Sequence, residues 1–217
     1  MRTLCRVLIL GVAASASLLT AGIVNPGFET GDLTGWNAGG SVAVGATCSQ
    51  TGFGPFEGSL LACLEAGAVD ASTTEAALGL SAGTLAGLQS GLTFGSYLGQ
   101  TVQMAAGETI TEMAYFQADD YLPFNDTAFW SFAGLNSDPE GLVGSVATVG
   151  DFGATGWKPF SFTAPTAGLY IIGFGVFNQT DNAFSSYLGV DATPEPCTLA
   201  LFGLGLAGLL FRRGRAH

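Results

Sequence analysis

Short apolar runs with a period of two, closed off by glycine, proline, asparagine and aspartate, constrain this chain more than any other feature. Tyr170, Ile172, Phe174 and Val176 fall on one side of an extended segment, with Gly173 and Gly175 on the other. Phe160 and Phe162 alternate in the same way with Ser161 and Thr163. Successive strand side chains point to opposite faces, so the pattern describes strands with one face on a core. The Gly173/Gly175 face is open to close approach by another backbone or a ligand. Further strands are expected at 41–44, 60–64, 102–105, 109–118, 128–133, 144–149 and 187–191. Many short strands with frequent turns predict an all-β fold, a β-sandwich or jelly roll. Residues 73–90 break the alternation. They read as a short helical insertion or as an Ala/Leu loop packed over a sheet edge.

Charge divides the chain into three parts. Of six basic residues, Arg2 and Arg6 lie near the start, and Arg212, Arg213 and Arg215 lie near the end. Residues 22–192 hold only Lys158 against sixteen of the 17 acidic residues, a formal charge of about −15. Such a field repels nucleic acid and anionic lipid and attracts cations. The single histidine is His217, so residues 22–192 contain none for catalysis or metal binding.

Residues 1–21 read as a signal peptide, a helix removed on export. Arg2 and Arg6 precede the apolar run Val7 to Val12, and Ala14-Ser15-Ala16 or Leu19-Thr20-Ala21 offers small residues for cleavage. Residues 22–192 then form one β-sandwich domain, and residues 193–217 a separate terminal segment. That segment begins Thr193-Pro194-Glu195-Pro196 and continues with 15 residues from Cys197 to Phe211, rich in Leu and Gly, before the Arg212-Arg213-Gly214-Arg215 cluster. As a helix the apolar run is about 22 Å long, shorter than a comfortable bilayer span. The arginines belong on the cytoplasmic side.

The terminal segment resembles the PEP-CTERM sorting signal: the Pro194, Glu195, Pro196 box, a short hydrophobic helix, then Arg212, Arg213 and Arg215. Cys197 departs from the pattern, where Ala or Ser is commoner. The resemblance implies a partner, an exosortase-type processing enzyme of Gram-negative bacteria that make extracellular polysaccharide. It also implies transient anchoring in the inner membrane through the C-terminal helix, and a destination at the cell surface or in the extracellular matrix. Residues Asn25 to Trp36 are similar to the opening of jelly-roll domains of the carbohydrate-binding-module type. Asp119 to Asp126, Val149 to Gly153, Gly156-Trp157, Gly173 to Asn178 and Leu188 to Asp191 resemble a recurrent exported β-sandwich found ahead of such sorting tails.

Cys48 and Cys63 are the two cysteines of the middle stretch. An even pair in an oxidising compartment, separated by the turn-forming Gly52 to Gly58, predicts a disulfide, with two buried thiols as the alternative. Asp119, Asp120, Asn125 and Asp126 crowd one turn, where calcium is the natural counter-ion. The jelly-roll resemblance implies a second calcium position at Glu29 and Asp191. For both, the alternative is carboxylates that are solvated or accept hydrogen bonds from turn amides. Tyr121 and Trp157, in turns, are the candidate sugar-stacking residues, whereas Trp36 and Trp130 are expected in the core. With no histidine in residues 22–192, neither a Ser-His nor a Cys-His pair is available there. The sequence therefore predicts a non-catalytic surface or matrix protein that contacts exopolysaccharide. A discrete carbohydrate-binding module is the alternative, and a two-carboxylate hydrolase the less favoured one.

Overall fold

The computed structural model describes residues 22–49, 52–134 and 140–192. The leader, the sorting tail and its Pro194, Glu195, Pro196, Arg212, Arg213 and Arg215 lie outside the described residues. Within them no helix is long and apolar enough to cross a membrane.

The strands are β1 (Asn37–Gly39), β2 (Ser41–Gly45), β3 (Leu61–Glu65), β4 (Val69–Asp70), β5 (Leu92–Met104), β6 (Thr109–Gln117), β7 (Thr127–Gly134), β8 (Glu140–Ser145), β9 (Lys158–Thr163), β10 (Gly168–Gln179) and β11 (Tyr187–Ala192). They form two antiparallel sheets. The first runs β1-β5-β10-β7-β8, with β4 also on β5, and the second runs β2-β3-β11-β6-β9. This is the expected β-sandwich.

Alternation decides which faces meet. Tyr170, Ile172, Phe174 and Val176 of β10 point inward, as do Phe132 of β7, Phe116 of β6, Phe162 of β9, and Leu188 and Val190 of β11. Each fully buried apolar side chain of this size contributes about 1.5–3 kcal/mol. The opening segment closes one end: Phe28 and Trp36 join the core with ring centroids 5.3 Å apart, and the Trp36 indole N–H donates to the Asn25 carbonyl at 3.1 Å.

The insertion is helical, as α1 (Ala71–Leu78) and α2 (Thr84–Leu88). Asp70 caps α1, accepting from the Thr73 amide at 2.8 Å, and Gly79 ends it in the left-handed conformation at φ 70°. The buried Glu75 carboxylate accepts from the amides of Gly83 (2.9 Å) and Leu85 (2.8 Å), fastening the two helices together. Beneath them lies a second core of Leu78, Leu80, Leu85, Tyr97, Phe129 and Phe177. Here the glycine face finds its partner. Gly173 and Gly99 are directly paired across β10 and β5, and a Cβ on either would fall within 2.9 Å of a Leu78 methyl. The close approach is made by a leucine of the insertion.

Two expected strands need correction. The strand placed at 144–149 ends at Ser145, and residues Val146–Val149 form a helical turn, α3. The Ser145 amide donates to Thr148 Oγ1 at 2.9 Å, a capping box that outweighs the β-branched composition. The strand placed at 102–105 is the end of the thirteen-residue β5.

Candidate functional site

Cys48 and Cys63 are bonded to each other. The bridge lies with Leu61 and Tyr187 under a cover of Phe53 and Trp157. Trp157 is half-buried. Its ring meets Phe53, Phe56 and Tyr115 at 6.1, 6.1 and 5.6 Å, and its indole N–H donates to the Gly54 carbonyl at 3.3 Å. Both its face and its polar handle are therefore engaged in holding the 52–56 turn against β6.

Tyr121 belongs to a different cluster. It is 40 % exposed, beside Leu122 at 53 % and Phe152 at 55 %. Phe124 braces it edge-on at 5.7 Å, and the Phe152 ring lies 6.1 Å away at 40°. Phe152 has φ 54°, a left-handed backbone uncommon for a bulky residue, held by the hydrogen bond its amide donates to the Asp120 carbonyl at 3.0 Å. A groove of about 670 Å³ lies elsewhere, on the outer face of the first sheet, lined among the described residues by Gly79, Thr101, Gln103, Ala133, Leu169 and Ile171 and by no aromatic ring.

The two expected calcium positions differ in how their charge is answered. Glu29 Oε1 accepts from the amides of Ser59 and Leu60 at 2.7 and 2.9 Å. Asp191 Oδ2 accepts from Phe56 and Glu57 at 2.8 and 3.1 Å, and its Oδ1 from Ala192 at 2.8 Å. Both acids hold the 55–60 turn through backbone donors, and these donors do for the carboxylates what an ion would do. Burial raises the Asp191 carboxyl even so. Glu112, which the sequence did not single out, is 1 % exposed on the inner face of β6, and its Oε2 has no hydrogen-bond partner. Burial first, and the charge of Asp191 second, push its carboxyl well above the usual range.

At the other end the expected cluster separates into distinct roles. Asn125 Oδ1 accepts from the Ala147 amide at 2.7 Å, capping α3, and its amide nitrogen donates to Gln89 at 3.2 Å. The Asp119 amide donates to Ser186 Oγ at 3.1 Å. Asp126 and Asp120 turn inward, each 1 % exposed. Asp126 Oδ1 accepts from the Gln179 amide at 3.0 Å, and its Oδ2 from the Ser186 hydroxyl at 2.7 Å and amide at 3.2 Å. Asp120 Oδ1 accepts from the Tyr121 amide at 2.7 Å. Burial pushes Asp126 up to about 7, and burial raises Asp120, with Asp181, Asp119 and Asp151 adding repulsion. Among the described residues no three His, Cys, Asp or Glu side chains converge as a metal cluster. The donors assembled here are two carboxylates, an amide and a hydroxyl.

Residues 192–215 match a family model described as the PEP-CTERM protein-sorting motif. No curated protein matches the chain. Among solved structures, a carbohydrate-binding module in complex with beta-1,4-galactotriose is 16 % identical, covering 77 % of this chain and 92 % of its own, with TM-score 0.45. A family 16 carbohydrate-binding module is 17 % identical over 79 % of this chain and 96 % of its own, with TM-score 0.40. The K3 adhesin domain of Lys-gingipain from Porphyromonas gingivalis is 13 % identical over 79 % and 97 %, with TM-score 0.41. The ligands of those proteins remain theirs at this distance, and the two-sheet architecture rests on this chain's own strand pairing.

Proposed function

From the PEP-CTERM sorting motif, which marks an exported protein that transits a membrane in Gram-negative bacteria, we propose a non-catalytic module of the cell surface or matrix. In this reading an exosortase-type enzyme processes its tail, and its loop end contacts exopolysaccharide. One observation carries the sugar reading: Tyr121 and Phe152 present adjacent rings to solvent, braced by Phe124. Exposed rings add nothing to a core, and apolar sugar faces stack on such surfaces. The formal charge of about −15 on residues 22–192 favours neutral glycans over acidic ones, unless cations bridge the two.

The non-catalytic reading is supported by the acids themselves. A glycosidase needs two carboxyls flanking the scissile bond across a cleft. Asp120 and Asp126 are sealed inside the sandwich, and Glu29 and Asp191 are occupied by the 55–60 turn.

The test is affinity electrophoresis of the full, detergent-solubilised chain through gels containing neutral or acidic exopolysaccharide. Retardation by a neutral polymer is expected. Tyr121→Ala and Phe152→Ala should each weaken it by about tenfold or more, at about 1–3 kcal/mol per stacked ring, with unchanged melting temperature. Wild-type retardation in both variants, or none with any polymer, would overturn the reading. Separately, deleting residues 193–217 in the native host should abolish surface delivery.

A further inference from the structure

Four strands end in polar residues at the same end of the sandwich. On the inner face, Asn178 follows Val176 in β10 and Ser186 precedes Leu188 of β11; Asp126 precedes Ala128 of β7, and Asp120 follows Ala118 beyond β6. The β10–β7 register ends by pairing Phe177 with Thr127, and the Gln179 amide donates to Asp126 Oδ1 at 3.0 Å, so Asn178 lies between two residues held to this corner. Ser186 joins them from the second sheet through its two bonds to Asp126. None of the four is more than 1 % exposed.

Their hydrogen bonds leave a deficit of donors. The Asn178 amide nitrogen donates to Ser185 Oγ at 3.1 Å, which fixes the orientation of its amide. Asn178 Oδ1 and Asp120 Oδ2 are both buried with no partner. An acceptor left this way is costly unless something positive meets it. The one basic residue of 22–192, Lys158, is exposed on β9 opposite Ala114. Asp119, Asp151 and Asp181 add further negative charge around Asp120. An all-oxygen, anionic donor set without a basic side chain suits a hard cation. Calcium tolerates irregular oxygen geometry, whereas magnesium holds its waters and demands near-ideal octahedral angles.

We propose that Asp120, Asp126 and Asn178 form a calcium site that plugs this end of the core. Asp120 Oδ2 and Asn178 Oδ1 face the ion, with the Asp126 carboxylate between them. The site lies directly under the aromatic patch, because the other oxygen of Asp120 holds the Tyr121 amide. The proposal is independent of what that patch binds.

Isothermal titration of calcium into the full chain, stripped with chelator and held in detergent, tests it alongside thermal melts. One ion per chain is expected, with Kd at or below about 10⁻⁴–10⁻³ M, the range of extracellular modules. The melting temperature should rise by several degrees at millimolar calcium and far less with magnesium. Asp120→Asn, which keeps the acceptor for Tyr121, and Asn178→Leu should each weaken calcium by about tenfold or more. Absence of both heat and melting shift in the wild type would overturn the proposal, whether or not the variants fold. So would a calcium response that folded variants retain undiminished, which would move the ion to another site.

Discussion

Replacing Leu78 and Gly173 by alanine, singly and together, tests how the helical insertion is held to the sandwich. Leu78 is fully buried, with its methyls over the paired glycines Gly173 and Gly99. Leu78→Ala removes those methyls and opens a cavity between α1 and β10, at about 3 kcal/mol within the usual 2–5. Gly173→Ala places a new Cβ 2.5 Å from Ser131 Oγ and 2.9 Å from Leu78 Cδ1, both too close. Such overpacking costs about 1–3 kcal/mol. In the double variant the Leu78 clash is gone and the new methyl fills part of the cavity. The pair should therefore cost about 1–2 kcal/mol less than the sum of the single changes. Urea denaturation followed by tryptophan fluorescence measures all four proteins. Costs that add to within about 0.5 kcal/mol would show that Leu78 does not seat on Gly173, and the account of the insertion would fail.

Reduction of the Cys48–Cys63 bridge, whose cysteines are 15 residues apart, should cost about 3 kcal/mol and lower Tm by roughly 6–12 °C. Calorimetry with and without reductant reads it. Glu75→Ala should cost about 1–3 kcal/mol, because the amides of Gly83 and Leu85 lose their acceptor; the urea midpoint measures it. Glu112 binds its proton more tightly folded than unfolded, so its contribution is present below the ordinary carboxylate range and lost as pH rises through its raised pKa. Glu112→Gln should therefore raise the urea midpoint at about pH 8 and flatten its decline from about pH 5. A variant with the wild-type pH slope would refute that assignment.

The strands were legible wherever apolar side chains alternate. The line from Tyr170 to Val176 and the line from Phe160 to Phe162 gave their faces directly. The first half of β5 was hidden because Gly95, Ser96, Gly99 and Gln100 read as turn residues. In the fold, Ser96 and Gln100 are buried polar residues, while Gly99 makes room for Leu78. Glu112 went unmarked, since nothing local signals an inward charge except its place two residues from Ala114 in the same alternation. The disulfide was readable because so few cysteines were available. The acidic turn was visible as composition, but the division of labour within it was not. Whether Asn125 caps a helix or faces an ion depends on where Ala147 arrives, a contact spanning 22 positions. Asn178 and Ser186 could have been found by extending the inner-face lines one step past their last apolar member.

The final strand sets the molecule's posture. β11 starts beside Ser186, under the Tyr121 loop, and ends at Ala192, where the match to the sorting motif begins. It is hydrogen-bonded to β3 on one side and β6 on the other, which fixes where the chain leaves the fold. The segment before Glu29 meets Ala192 there, with a Cβ on Gly27 3.6 Å from the Ala192 Cβ, so the Glu29 turn shares its end of the sandwich with the start of the sorting motif; the aromatic tip stands at the opposite end, a strand's length away, about 20 Å.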